Sequence, residues 1–310
     1  MDELLKLAKV RFVGMDKTNE YDRELLEYAK KLSLIKPMFL AELCNVVETI
    51  ARFNPSLALS ISAHHLALYC LKDCNDFCAF ALTEKSGSNV KAIETKAEEA
   101  DKGYIIRGSK NFVTNGEFAE VFVITARHEG KVNVFAVDKG GIKAERVDLG
   151  CFRGSGIAKI YIDGIGRELG DLKLAMSALN VGRVVFSSLA LGIAKRCFEL
   201  ALNRAKRLGL INNQGLRWRF VDLKSDIEVV SSYINSVVSS FSEKDGVRPA
   251  ICKLKACKIA KACADFAVEV FGAKGLIKHS ITEILYRYAK ALDIGEGTNE
   301  IMKEIISRSF

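Results

Sequence analysis

A single carboxylate near the end of the chain is the residue best placed to do chemistry. Glu296 stands between Gly295 and Gly297 in "DIGEGTNEIMKEIISR", residues 293–308. A general base needs an available lone pair and a raised pKa, which burial supplies. Thr298 or Asn299 can cap the helix that follows. The spacing also fits an acidic residue that is merely favoured near a helix N-terminus.

Two polar stretches in the middle of the chain could contact a ligand. "ALTEKSGSN", residues 81–89, ends a strand pattern in Thr83-Glu84 and turns through hydroxyls and free amides that suit phosphates or a polar ring edge. "GSKNFVTNG", residues 108–116, offers Phe112 and Thr114 on the same side of a strand. An ordinary turn and a hairpin closed by Asn-Gly explain the same residues.

Arg183 and Gly272 mark two further candidates. Arg183 lies among small and apolar helix residues in "ALNVGR", residues 178–183, which suits an anionic ligand or a surface ion pair equally. In "EVFGAKGL", residues 269–276, a helix ends at Gly272, as at an ordinary glycine C-cap. No P-loop, G-x-G-x-x-G or G-x-S-x-G motif is present, so a Rossmann nucleotide site is not supported.

The distribution of glycine predicts the elements that position these residues. Of the 23 glycines, Gly14 is the only one before residue 87, and most lie in the middle of the chain. Apolar spacings of three and four predict helices first, with Ser56 as a cap, and short β-branched runs then predict strands. The predicted fold is α+β, mainly α: a helical N-terminal domain (1–77), a β-barrel or sandwich domain (78–165) and a C-terminal four-helix bundle (166–310).

Composition and charge limit the classes of protein to which this chain can belong. The 310 residues are 49% hydrophobic and 27% charged with a net charge of +8, which indicates a globular chain able to bind anions. The basic residues are dispersed, and the cluster at Lys253, Lys255, Lys258 and Lys261 is predicted to form a solvated helix face. No apolar run reaches the roughly 18 residues of a membrane span. We expect no nucleic-acid partner, no metal and a cytoplasmic location, with the nine cysteines reduced.

The order of these motifs, rather than any one of them, resembles the acyl-CoA dehydrogenase family over roughly residues 54–308. "DIGEGTNEIMKEIISR" is similar to the C-terminal signature of that family, and "YIIRGSKNFVTNGEFAEVFVITAR" and "CFRGSGIAKIYIDGI" to its β-domain. The resemblance implies FAD, an acyl-CoA thioester and transfer of electrons to an electron-transfer flavoprotein. It also implies a homo-oligomer, commonly a dimer of dimers, with part of each FAD held by a neighbouring subunit.

The resemblance assigns roles residue by residue. Glu296 matches the base that removes the α-proton while the β-hydrogen leaves as hydride to the flavin, with its backbone amide a donor to the thioester carbonyl. Positions that contact FAD within one subunit are matched by Leu82, Thr83, Phe112, Thr114, Thr298 and Glu300. Positions near the acyl-CoA are matched by Ser88, Asn180, Arg183 and Gly297. Positions that hold FAD across the subunit interface are matched by Arg207, Glu269 and Gly272.

Several matches depart from the family pattern. "EKSGSN" is one residue shorter than its counterpart and lacks a proline, and Trp218, Glu269 and Ala273 replace residues on the cofactor side. An acid at Glu269 near a pyrophosphate is unfavourable unless another group neutralises it. The region before the Thr-Glu turn is shorter than is typical, so we expect N-terminal helices to be missing or trimmed.

Three hypotheses follow from the resemblance and its departures. The first is an active FAD-dependent acyl-CoA dehydrogenase of fatty acid metabolism. The second is a non-catalytic or half-site subunit that pairs with a fuller homologue, which the departures favour. The third is a relative that performs flavin oxidase or monooxygenase chemistry. Retention of Glu296 argues against a monooxygenase, which removes no α-proton.

Overall fold

Four helices precede the sheet in the computed structural model, which describes residues 1–310. They are α1 (Asp2–Thr18), α2 (Arg23–Lys31), α3 (Leu40–Ala51) and α4 (Pro55–Leu71). Asn54, not Ser56, is the N-cap of α4: its side chain accepts a hydrogen bond from the Leu57 amide, and Pro55 takes the first helical position. Ser56 instead donates to the Arg153 carbonyl, so the predicted cap was wrong by two residues.

Seven strands form the middle of the chain. They are β1 (Cys78–Ala81), β2 (Lys96–Ala100), β3 (Gly103–Val113), β4 (Val121–His128), β5 (Lys131–Asp138), β6 (Ile142–Arg146) and β7 (Ala158–Asp171). Strand β7 pairs antiparallel with β3, β5 and β6, and β4 pairs with β5 and with β1. Strands β2 and β4 meet through one residue pair, Lys96 and Arg127, so the strands form a seven-stranded sheet rather than a continuously paired barrel.

Five helices complete the chain. They are α5 (Leu172–Arg207), α6 (Gln214–Ser239), α7 (Val247–Phe271), α8 (Ile281–Ala291) and α9 (Asn299–Ser307). By length and hydropathy α5 could cross a membrane, contrary to the sequence expectation, but 78% of its most apolar window is buried inside the fold. Helix α5 is therefore the central core helix, against which α3, α4, α6 and α7 pack.

The helices that precede the sheet in the chain and those that follow it share one apolar core. A cluster of 50 buried residues includes Leu4 and Phe12 of α1, Ile50 of α3 and Phe266 of α7. The sheet has a separate cluster of 14 buried residues. The first four helices are thus packed into the same core as the C-terminal helices, while the strands form their own.

His64 of α4 links that helix to the start of the sheet, and His65 lies beside it. The buried His64 bonds through Nε2 to the Ile35 carbonyl, and its Nδ1 accepts from the Cys78 amide, 3.0 Å away. The second contact requires an unprotonated Nδ1, so the ring is neutral. Burial lowers the pKa of His64 to about 4, and the neighbouring His65 adds to the shift.

We expect the free energy of unfolding to fall by about 3 kcal/mol between pH 6.5 and 4 because of His64 alone. In this window the unfolded chain binds a proton that the folded chain excludes, so stability is present above pH 6.5 and is lost on acidification. Urea unfolding at several pH values measures the slope, which His64→Gln should flatten. An equal slope in the variant would contradict the assignment.

Candidate active site

The turn between α8 and α9 presents Glu296 in a left-handed conformation. Glu296 has φ +53° and Gly297 has φ +91°. A glutamate rarely adopts a positive φ, and such outliers concentrate at functional sites. The backbone amides of Glu296 and Gly297 have no backbone acceptor and remain available as donors. Thr298 caps α9 by accepting from the Ile301 amide at 3.3 Å, as predicted.

Glu296 is half-buried, and one of its carboxylate oxygens lacks a partner. Its Oε2 atom is shielded from solvent and forms no hydrogen bond. Burial raises the pKa of Glu296 to about 7, while the positive charges of Arg183 and Lys253 oppose the rise. A carboxyl group in this state can accept a proton at neutral pH.

The glycines near Glu296 serve close packing against α5. A β-carbon at Gly182 of α5 would lie 3.0 Å from Glu296 Oε2, and one at Gly295 would lie 3.0 Å from Phe186 Cζ. Gly182 was missed by sequence reasoning, although it lies within "ALNVGR". The glycines thus let the turn and its carboxylate approach the helix.

Arg183 faces the same buried space. It is 7% exposed, and its Nη1 donates to Asn180 Oδ1 at 2.7 Å. Asn180 in turn donates to the Glu243 carbonyl at 3.0 Å. The Nε atom of Arg183 is buried without a partner, like Oε2 of Glu296. Desolvation lowers the pKa of Arg183, and the negative charge of Glu296 offsets part of that shift. The two residues are therefore coupled electrostatically.

The structure joins the two polar stretches at the edge of the sheet. The Asn111 amide donates to the Thr83 carbonyl at 2.8 Å, so Leu82 and Thr83 lie beside the strand end that carries Phe112. Phe112 is 58% exposed and has φ +55°, next to an irregularity in the β3–β7 pairing. An exposed aromatic ring on a strained backbone suits a bound planar ligand. Thr114 is half-buried just past the strand, and Ser88 lies in an exposed turn.

A buried ion pair supports this edge and was not predicted. Lys110 is fully buried, and its Nζ donates to Glu84 Oε1 at 2.7 Å, to Thr125 and to the Leu82 carbonyl. Glu84 also accepts from the amide and hydroxyl of Thr95. The pair therefore fixes the position of Leu82 relative to Phe112.

The lysine cluster of α7 differs from the prediction. Lys255 and Lys258 are exposed and Lys261 is half-buried, but Lys253 is fully buried and donates to Asn299 Oδ1 at 3.2 Å. The prediction of a solvated face was wrong for Lys253, because α7 packs against α5 and α9 on that side. Lys253 and the apolar Cys257 are spaced to share one face of the helix, and this spacing was the available sequence signal that Lys253 is buried.

A cleft of about 380 Å³ opens beside the N-terminus of α9. Thr298 and Glu300 line it together with Lys258, Lys261, Lys290 and Lys303. The four lysines outnumber the two acids of the lining, Asp293 and Glu300, so the cleft is net positive and suits an anionic group.

The three residues assigned to a subunit interface lie away from Glu296. Arg207 ends α5, some 25 positions beyond Gly182, or about 37 Å along a helix. Glu269 and Gly272 stand at the end of α7, where the exposed Arg219 forms an ion pair with Glu269. Arg219 is a cation that neutralises the acid at this position. One chain therefore does not bring these residues into the site of Glu296.

Comparison with known proteins identifies the family. The model "Acyl-CoA dehydrogenase, middle domain" matches residues 79–165, and "Acyl-CoA dehydrogenase, C-terminal domain" matches residues 172–310. The chain is 32% identical to an acyl-CoA dehydrogenase of Bacillus subtilis, over 74% of this chain and 67% of the relative. It is 29% identical to a short-chain-specific acyl-CoA dehydrogenase of Clostridium acetobutylicum, over 99% and 89%. The chain belongs to the acyl-CoA dehydrogenase family.

Solved structures agree on the fold. Butyryl-CoA dehydrogenase from Megasphaera elsdenii superposes with a TM-score of 0.89 at 23% sequence identity, covering 99% of this chain and 97% of that one. The predicted arrangement of helices, strands and helices is confirmed, and the strands form one seven-stranded sheet. No group of three or more histidine, cysteine or acidic side chains is arranged to hold a metal, and all nine cysteines are free.

Proposed function

We propose that this protein catalyses the FAD-dependent α,β-dehydrogenation of an acyl-CoA thioester with Glu296 as the base. The observation that carries the proposal is the buried, unpartnered Oε2 atom of Glu296 on a left-handed turn. A carboxylate oxygen shielded from water and held in place by a fixed turn needs little reorganisation to take a proton. Membership of the acyl-CoA dehydrogenase family supports the reaction class.

In this proposal the chain orients the thioester and accepts its α-proton. The free backbone amide of Glu296 donates to the thioester carbonyl, which increases the acidity of the α-carbon, and Gly297 lies beside it. Glu296 then takes the α-proton at its unpartnered oxygen. Asn180 and Arg183 contact the acyl-CoA, and Ser88 lies nearer its polar end. The positive charge of Arg183 favours the ionised form of Glu296 before the proton moves.

The residues at the sheet edge fit a flavin. When bound, FAD supplies the ring that accepts the β-hydrogen as hydride. Leu82, Thr83, Phe112 and Thr114 would hold that ring, since two tied segments present an exposed aromatic face and hydroxyl groups. Thr298 and Glu300 would hold the remainder of FAD, and the net positive cleft that they line would suit its phosphates.

Arg207, Glu269 and Gly272 complete the site of a second copy in this proposal. Their distance from Glu296 within one chain supports a contribution across a subunit interface, in a homodimer or homotetramer. Arg219 lowers the cost of placing Glu269 near a pyrophosphate. An electron-transfer flavoprotein is the proposed acceptor, and nine free thiols support a cytoplasmic location.

Gly182→Ala should slow the reaction about tenfold without lowering stability by more than about 1 kcal/mol. The added methyl group lies 3.0 Å from Glu296 Oε2 and from Leu66 Cδ1, so the carboxylate has to shift. Gly14→Ala in α1 is the matched control: nothing lies within 4 Å, so it should stabilise by about 0.5–1 kcal/mol and leave the rate unchanged. Equal rates for both variants would contradict the close contact.

The visible absorption spectrum of the purified protein, after removal of excess FAD, tests the proposal. We expect a flavin band that bleaches anaerobically on addition of an acyl-CoA from a series of chain lengths. A protein without the band, even after incubation with FAD, would support the non-catalytic subunit instead. A bleached band that dioxygen restores as fast as it turns over would favour an oxidase.

A further inference from the structure

A fully buried lysine lies next to the turn that carries Glu296. Lys253, in the N-terminal half of α7, is 0% exposed and donates one hydrogen bond, to the neutral amide oxygen of Asn299. It takes part in no ion pair, unlike the buried Lys110. An ammonium group buried in this way is costly, and a buried charge kept without a direct partner commonly serves a site.

The hydrogen bond from Lys253 reaches Asn299, which closes the turn by bonding to Asp293. We call the pair Asn299 and Asp293 the clamp. Asn299 Nδ2 donates to Asp293 Oδ1 at 2.8 Å, and the Asn299 amide donates to the Asp293 carbonyl at 2.9 Å. Lys261 and Lys290 hold Asp293 Oδ2 at 2.8 and 3.1 Å. The clamp therefore fixes both ends of the segment 293–299, and Glu296 lies at its middle.

Few charged groups face Glu296 from the surrounding elements. Helix α5 contributes Arg183 and α7 contributes Lys253, and both favour the ionised carboxylate. Helix α4 contributes the apolar Leu66. On the turn and α9, Asp293 and Glu300 favour the charged form of Lys253, although burial lowers its pKa. Lys253 is thus one of two cations that act on Glu296, and the only one tied to its turn.

We propose that Lys253 is a positioning residue for Glu296, which holds the 293–299 turn through Asn299 and keeps the carboxylate ionised by its buried charge. The inference rests on the proposed function of Glu296 as base. It predicts that Glu296 binds its proton more tightly once the charge of Lys253 is removed.

Infrared titration of the protein without acyl-CoA tests this inference. The carboxylic acid band that is lost in Glu296→Gln reports protonation of Glu296, with a midpoint at about pH 7. We expect Lys253→Met, similar in shape but uncharged, to raise the midpoint by about one pH unit. Lys253→Arg should largely restore it. Lys255→Met, on the exposed face of the same helix, should leave it unchanged.

An unshifted midpoint in folded Lys253→Met would overturn the inference, as would an equal shift in Lys255→Met. Lys253→Gln keeps a donor toward Asn299 without the charge, so it replaces Lys253→Met if that variant does not fold. Flavin bleaching by acyl-CoA is measured separately. A shifted midpoint in a protein that never bleaches would contradict the proposed function alone, whereas normal bleaching with no shift would contradict only the role of Lys253.

Discussion

Glu296→Gln is expected to slow the reduction of bound FAD by acyl-CoA about 10³-fold, the middle of the range for loss of a general base. Glutamine has nearly the same shape but accepts no proton. The rate constant for anaerobic bleaching of the flavin band, followed by stopped flow, measures the loss. Because the amide keeps the turn intact, the variant should still bind FAD and acyl-CoA.

The pH dependence separates a base from a structural glutamate. Burial raises the pKa of Glu296 to about 7, and only the ionised form is active, so the rate should rise through about pH 7 and level off above it. The control is Glu304→Gln. Glu304 is an exposed acid of α9 that pairs with Arg308, so this variant should keep both the rate and its pH profile. A Glu296→Gln protein that reduces its flavin at the wild-type rate would exclude Glu296 as the base.

Lys110→Met should destabilise the protein by about 3–5 kcal/mol, the cost of leaving one partner of a buried ion pair unmatched. Burial lowers the pKa of Lys110 to about 8 even though Glu84 opposes the shift. For Glu84, burial raises the pKa, but hydrogen bonds from Lys110, Thr95 and the Glu94 amide outweigh it and the net shift is downward. Both groups are therefore charged at neutral pH. Urea unfolding at pH 7 measures the loss.

Two further variants test this explanation. Lys139→Met removes an exposed ion pair with Glu120, which joins the residues just outside β4 and β5, so it should cost no more than about 1 kcal/mol. Lys110→Met combined with Glu84→Gln should recover part of the stability, since no buried charge is left unmatched. Equal losses for Lys110→Met and Lys139→Met would show that burial of the pair contributes nothing.

Local order in the sequence was enough to nominate candidate site residues. Glu296, Arg183 and the Thr83 and Phe112 stretches were nominated because each carries an unusual residue type beside glycine or a strand end. The succession of helices, strands and helices followed from glycine frequency and apolar periodicity. These signals lie within short segments and need no knowledge of what packs against them.

The residues that were missed depend on contacts between distant segments. Lys253 and Lys110 are lysines, which ordinarily lie in solvent, and only the packing of α9 on α7 or of Glu84 on β3 buries them. Gly182 matters because of an oxygen more than one hundred positions away. The weak junction between β2 and β4, which join through one residue pair, also depends on distant segments, and strand patterns do not report it.

The shared core of the helices has a consequence for how the chain folds during synthesis. Helices α3 and α4 pack against α5, and residues of α1 and α2 belong to the same core cluster as the helices that follow the sheet. At roughly 5–20 residues per second, the ribosome completes α7 on the order of ten seconds or more after α4. During that interval the emerging N-terminal helices expose surface that only later segments cover, whereas the strands can already assemble. The N-terminal helices therefore complete their core only after the final helices have left the ribosome.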